Sequence, residues 1–316
     1  MAQRRKGRWG MRHLQVLAVV AALVGGACMW SAAQGAGDAA HFLRDGVGAR
    51  PRVLGGAFVA VADDLHSLFW NPAGIVNVDT TICLGGTHET RFGGLVSLDA
   101  LGVTVSEKGW ALGAGWVNSD MYSVITVVFA AADKGLSVGL SPKFYQFGAA
   151  EQRARGLGLD AGVLYEVRLR EAALALGLVT NDIGWTRVSW PGAGSDVSDR
   201  AAWVTRLGGA VVLPVPGGSV QVTADGEAAL RRPPRPEETD YVGKALQLGV
   251  GCGVELSMGP ISVRAGLAGR DLERPEVASV RVSFGAGVAF ERISIDAGWV
   301  DTPLGGTYLL SVQMVL

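Results

Sequence analysis

The chain has 316 residues, with 28 Lys and Arg against 29 Asp and Glu for a net charge of −1; 49% of it is hydrophobic and only 18% charged. Glycine, at 46 residues, has about twice its ordinary share. With no basic stripe and no RNA-binding aromatic motif, the sequence gives no footprint for a nucleic-acid partner, and three cysteines are too few for a disulfide framework.

Residues 1–35 read as an export signal. Arg4, Arg5, Lys6, Arg8 and Arg12 form a basic start, residues 14–24 an apolar stretch, and Ser31-Ala32-Ala33 a small-residue cleavage site. Met11 offers a second start. Cys28 lacks the upstream Leu of a lipidation site, and Arg4-Arg5 lies too far from the apolar run for twin-arginine export. Cleavage near residue 35 leaves 23 basic and 29 acidic residues, with Cys83 and Cys252 as the remaining thiols. An oxidising compartment would permit one pair between them.

Residues 36–78 read as a compact, turned segment. Gly55-Gly56-Ala57-Phe58-Val59-Ala60-Val61-Ala62 is small and apolar and ends at Asp63-Asp64. Leu68-Phe69-Trp70 then leads into Asn71-Pro72-Ala73-Gly74. Pro72 fixes its own φ and pushes Asn71 out of the α region, and Gly74 offers a free φ for leaving the turn.

From residue 79 the pattern changes to period 2. Val280, Val282, Phe284, Ala286, Val288 and Phe290 alternate with Arg281, Ser283, Gly285, Gly287 and Ala289. The stretches 157–167 and 246–256 repeat this, with one greasy face and one Gly-rich or polar face. Fourteen such segments are expected: 79–91, 93–106, 109–118, 122–132, 134–147, 155–167, 171–181, 201–213, 218–229, 243–256, 259–269, 277–290, 291–301 and 307–316. Every second connection is very short, and the others include the long stretches 182–200 and 230–242. The last segment, 307–316, is amphipathic and ends on Leu316. No apolar run beyond residue 35 reaches the roughly 20 residues of a membrane helix. An exported, apolar, glycine-rich chain of this kind predicts an all-β, antiparallel transmembrane β-barrel, the other architecture that satisfies its backbone in lipid.

Three segments carry a family resemblance: Gly48-Ala49-Arg50, the run from Gly55 to Asp64, and Trp70-Asn71-Pro72-Ala73-Gly74. Together they resemble the N-terminal signature of the PorV/PorQ family, within the FadL-like group of outer-membrane barrels. Ser141-Pro142-Lys143-Phe144, Asp160-Ala161-Gly162, Leu176-Gly177-Leu178 with Asn181, and residues 261–266 fit the same pattern. Pro51-Arg52-Val53 departs from it, and Leu316 stands where a terminal aromatic is usual. The resemblance implies fourteen strands, an N-terminal hatch at 36–78 inside a barrel of residues 79–316, and an outer-membrane location in a diderm bacterium. It also implies passive uptake of small hydrophobic or amphipathic solutes of the long-chain fatty acid class. For PorV-type relatives it implies a part in protein secretion or envelope assembly instead. The partners implied are outer-membrane lipid, a hydrophobic solute, the barrel-assembly machinery reading the last strand and, on the second reading, secreted proteins.

No cofactor, metal site or catalytic constellation is expected. His41, His66 and His88 lack metal-ligand spacing, and Gly156-x-Gly158-x-x-x-Gly162 falls inside an alternating strand. The gate or hatch candidates are Asp63, Asp64, Trp70, Asn71, Pro72 and Gly74, with the aspartates anchoring to a lumen arginine. If the greasy face meets lipid, Lys143, Asp160, Glu255, Arg264, Arg281 and Asp296 line the lumen, because Lys or Arg on the lipid face at midplane would cost about 2–4 kcal/mol. They would then pair with one another and with the hatch, or line a polar path. Trp110, Trp116, Tyr122, Tyr165, Trp185, Trp190, Trp203, Trp299 and Tyr308 suit interfacial girdles, with Trp185 and Trp190 also placed to cover an entrance.

Overall fold

The computed structural model describes residues 44–78, 81–149, 152–189, 198–230, 246–270, 272 and 279–316, all within the compact unit Gln34–Leu316. The expected export signal, the first residues of the expected hatch, Trp190 and the basic segment 231–236 lie outside them.

Seven strands open the wall: β1 (Ile82–Arg91), β2 (Val96–Glu107), β3 (Trp110–Ser119), β4 (Tyr122–Asp133), β5 (Leu136–Ala149), β6 (Gln152–Arg168) and β7 (Ala173–Asn181). A short hairpin follows, β8 (Arg187–Ser189) with β9 (Ser198–Arg200), placed against the outer end of β6. The wall resumes with β10 (Trp203–Val215), β11 (Gly218–Leu230), β12 (Leu246–Met258) and β13 (Ile261–Arg270). It ends with β14 (Ser279–Phe290), β15 (Ile293–Val300) and β16 (Thr307–Val315). Each wall strand pairs antiparallel with its neighbour, β7 pairs with β10, and β1 meets β16 with Cys83 opposite Val315. The result is a closed, antiparallel, 14-stranded barrel without a free edge. The hairpin β8–β9 falls within 182–200, where the sequence pattern predicts only a connection.

Two-residue connections such as Lys134-Gly135 line one rim, both residues at positive φ as a primed hairpin turn requires. The opposite rim carries the longer connections. Side chains alternate across the wall. Leu157 is 77% exposed and Val280 72%, and Leu101, Ile125, Leu176, Leu207, Val250, Val263 and Leu310 also face outward. So large an apolar band would be untenable in water and matches the hydrocarbon core of a bilayer.

The lumen is filled by residues 44–78. Helix α1 (Ala49–Val53) and helix α2 (Ser67–Trp70) precede a 3₁₀ turn, Pro72–Asn77. Leu54, Phe58, Val61 and Trp70 pack with Ala210, while Leu65, Leu68 and Ile75 pack with Val128 and Cys83. The core of this protein therefore lies between plug and wall. That contact explains much of the glycine. A Cβ on Gly266 would sit 2.2 Å from the amide nitrogen of Gly55, and one on Gly139 would sit 2.4 Å from the carbonyl carbon of Pro72. Plug backbone passes directly over wall backbone, and only glycine leaves the room.

The aromatic girdle is smaller than expected. Trp110, Trp116, Tyr165 and Tyr308 are exposed, and Trp299 stacks on outward-facing Phe284. Tyr122 and Trp203 point inward and are buried. Tyr122 joins Tyr145 and Phe147, and the Trp203 indole donates to the Thr180 hydroxyl. Both are held by polar and aromatic partners that lipid cannot supply. Cys83 is buried in the lumen and Cys252 exposed on the outer face, and both are free thiols, so the permitted disulfide does not form.

Candidate functional site

The orphan amides of the plug determine how it docks. Helix α1 has no side-chain cap of its own. Its first amides are satisfied by the wall instead, Gly48 N donating to Glu89 Oε1 at 2.9 Å and Ala49 N to Ser311 Oγ at 2.9 Å. Further along, Phe58 N and Val59 N both donate to Asp225 Oδ2 at 2.8 Å. Leu65 N donates to Gln313 Oε1 at 3.1 Å. Buried backbone must be paired, and here the wall pairs it.

Asn71 behaves as its position before Pro72 suggests. Its Oδ1 accepts from Ala73 N at 3.1 Å, and its Nδ2 donates to Val59 O at 2.8 Å and to Val163 O of β6 at 3.3 Å. One buried amide thus ties this turn to the preceding turn of the plug and to the wall. Pro72 opens the 3₁₀ turn. Gly74 is not left-handed, contrary to the expectation of a free φ; it is required because the Ala62 carbonyl would lie 2.1 Å from an added Cβ. The Trp70 indole donates to Val47 O at 2.7 Å, and its ring meets Phe58 edge-on.

Asp63 and Asp64 do not reach a wall arginine. Both pair with Arg50 of the plug itself, whose Nε donates to Glu255 Oε2 at 2.8 Å. Glu255 also accepts from Arg264 at 2.6 Å, and Arg264 reaches Asp296 at 2.6 Å. Five sequence candidates thus fall into one ion chain with Arg50, a residue the periodicity argument could not reach because the plug has no strand parity. Arg281 lies apart from it, 2.9 Å from Asp45 of the plug.

The outer half of the lumen holds two further polar groups. Glu227 accepts from Arg44, Arg206 and Arg270. Lys143 lies 2.8 Å from Asp160 and 3.1 Å from Asp182, and Asp182 also accepts from Tyr145 and Thr186 at 2.7 Å. Arg206, Glu227 and Asp225 sit on inward parity positions of β10 and β11, a signal available in the sequence. Asp45, by contrast, became visible only with the fold.

Burial drives the Asp45 carboxyl upward, but Arg270, Arg281, Arg52 and Arg91 outweigh it and hold its pKa well below the ordinary value. A depressed carboxylate contributes stability that is complete above its unfolded pKa of about 3.9 and is lost as pH falls below that. The part of the plug's protease protection that depends on Asp45, read as the difference between wild type and Asp45→Asn, is therefore expected to stay constant from neutral pH to about 4 and to fall steeply below it.

Among the described residues, two cavities lie on either side of the plug. The outer one, about 80 Å³, is lined by the apolar and aromatic Leu68, Phe69, Trp70 and Val124 together with the polar Lys143, Tyr145, Asp160 and Arg206. The inner one, about 870 Å³, reaches the short-turn rim at Glu107, Lys108 and Gly109 and rises to Val61 and Asp63. Gly135-Leu136-Ser137-Val138-Gly139 matches a nucleophile-elbow pattern, but it runs from a hairpin turn into β5 and not from a strand into a helix.

No protein-family model and no curated protein matches the sequence. Solved structures do. The CymD monoaromatic hydrocarbon channel is 12% identical, with 86% of this chain and 98% of that chain covered at a TM-score of 0.56. The toluene transporter TbuX of Ralstonia pickettii is 12% identical over 86% of this chain and 99% of its own, at 0.55. The toluene transporter TodX of P. putida is 13% identical with the same coverage, at 0.54. At these identities the likeness establishes the fold, a FadL-like closed barrel of fourteen antiparallel strands.

Proposed function

We propose that this protein is an outer-membrane channel for the passive uptake of small hydrophobic or amphipathic solutes, exported by residues 1–35 and inserted by the barrel-assembly machinery. The observation that carries it is the outer cavity, lined by apolar and aromatic side chains interspersed with polar ones, and closed beneath by a plug held through side chains. The solved barrels it resembles include a monoaromatic hydrocarbon channel and toluene transporters, which supports a ring-sized solute. At about 80 Å³ the cavity is smaller than the roughly 150 Å³ that accommodates benzene in a protein interior. A single ring needs only a small displacement of the plug, whereas a long acyl chain needs the plug to leave. A small aromatic therefore fits better than a long-chain fatty acid. Mass spectrometry of extracts from gently purified protein tests this, and a small hydrophobic compound is expected at near-stoichiometric amounts. Empty lumens across preparations, with tight co-isolation of large envelope proteins, would favour the secretion role that the PorV/PorQ resemblance implies.

A further inference from the structure

The two cavities share a wall. Strands β7 and β10 line both, with Asn181, Val204 and Arg206 facing the outer one and Ala175, Ala210 and Val212 the inner one. Arg206 and Ala210 are four residues apart on β10, about 13 Å along a strand. Between them the inward positions are Gly208 and its partner Gly177. The plug segment 58–60 lies on this glycine pair: added Cβ atoms would come within 2.3 Å of Val59 O at Gly177 and 3.2 Å of Ala60 N at Gly208.

What ties that segment to the wall is local, and inside the plug Asn71 Nδ2 also holds Val59 O at 2.8 Å. Asp225 lies opposite Gly208 on β11 and takes the Phe58 and Val59 amides on one oxygen. Thr223 donates to Ala57 O at 3.0 Å. The other Asp225 oxygen is buried without a hydrogen-bond partner, so the carboxylate is committed to the plug through a single atom. The ion chain through Arg50 and Glu255 meets the barrel on β12, β13 and β15, away from this seam.

The geometry points to Asp225 as the latch of a gate: releasing residues 58–60 from it joins the outer cavity to the inner vestibule along the β7–β10 seam. This rests on the transport reading and assigns its route and gating residue. The seam is lined by small side chains, so shifting the one turn that starts at Phe58 clears it while the rest of the plug stays docked.

The test is Asp225→Ala in the full-length protein, with heat-modifiable migration on gels as the check that the barrel is folded. Hydrogen exchange of the segment around residues 58–59 is expected to quicken at least tenfold, and open probability in planar bilayers in KCl to rise by a similar factor. Asp225→Asn, which keeps an acceptor oxygen, should stay within about threefold of wild type on the scale for a weakened neutral bond. Ala210→Trp added to Asp225→Ala should return the conductance to the wild-type level by filling the seam. Unchanged exchange in folded Asp225→Ala overturns the latch, and faster exchange without conductance, or conductance indifferent to Ala210→Trp, overturns the route. Benzyl alcohol uptake that stays flat while exchange and conductance both rise counts against the transport reading and leaves the gate standing.

Discussion

Replacing Arg50 by alanine is expected to undock the plug while leaving the barrel intact. The guanidinium joins three carboxylates, two on the plug and one on β12. Its removal takes the shared cation from two buried carboxylates, leaving Glu255 with Arg264 and Asp64 with His66; Asp63, with its side chain 43% exposed, matters less. Breaking a buried pair on one side costs about 3–5 kcal/mol, which is a change of at least a hundredfold in the docking equilibrium. Residues 44–78 should become cleavable by trypsin at Arg44 and Arg52, and channels should open in planar bilayers. Glu255→Gln should do less, because Arg50 keeps Asp64 and Arg264 keeps Asp296. A plug that remains protected in Arg50→Ala would mean that its hydrogen bonds and apolar contacts hold it unaided.

The second large effect is expected from a single methyl group. Gly266→Ala places a Cβ 2.2 Å from Gly55 N and 2.5 Å from the Leu54 carbonyl carbon, both backbone atoms that cannot rotate away. Overpacking of this kind costs about 1–3 kcal/mol or more, and the strain falls on α1 and the turn after it. The control is Gly226→Ala, at a strand position facing outward with nothing within 4 Å of an added Cβ. It should be neutral or slightly stabilising, since alanine loses less backbone entropy than glycine. Thermal unfolding and plug proteolysis of the two variants should therefore diverge. If they behave alike, the lumen glycines are not there to admit the plug.

The wall was legible because lipid and plug impose different demands on alternate residues, so β12 and β14 announce both faces. Strand β4 does not. Val124, Val128 and Ala130 face the plug while Ile125, Val127 and Phe129 face lipid, and a strand apolar on both sides gives period 2 nothing to read. Tyr122 suits a girdle by its place at a strand end, and nothing in so apolar a strand marks it as inward. The plug was legible as turn chemistry at Asn71 and Pro72, but its contacts were not. Arg50 and Glu255 are 205 residues apart, and nothing local in either marks the other. The same holds for Asp225, whose importance depends on two plug amides that any residue types could have supplied.

These contacts support one proposal, that a plugged barrel passes small hydrophobic solutes by loosening part of its plug. The most direct measurement is the uptake of labelled benzyl alcohol by outer-membrane vesicles that carry the protein, against matched vesicles that do not. Faster uptake that saturates, and that rises further in Asp225→Ala, is the predicted result. Equal rates in the two vesicle populations, with the barrel folded and the plug variants without effect, would contradict it.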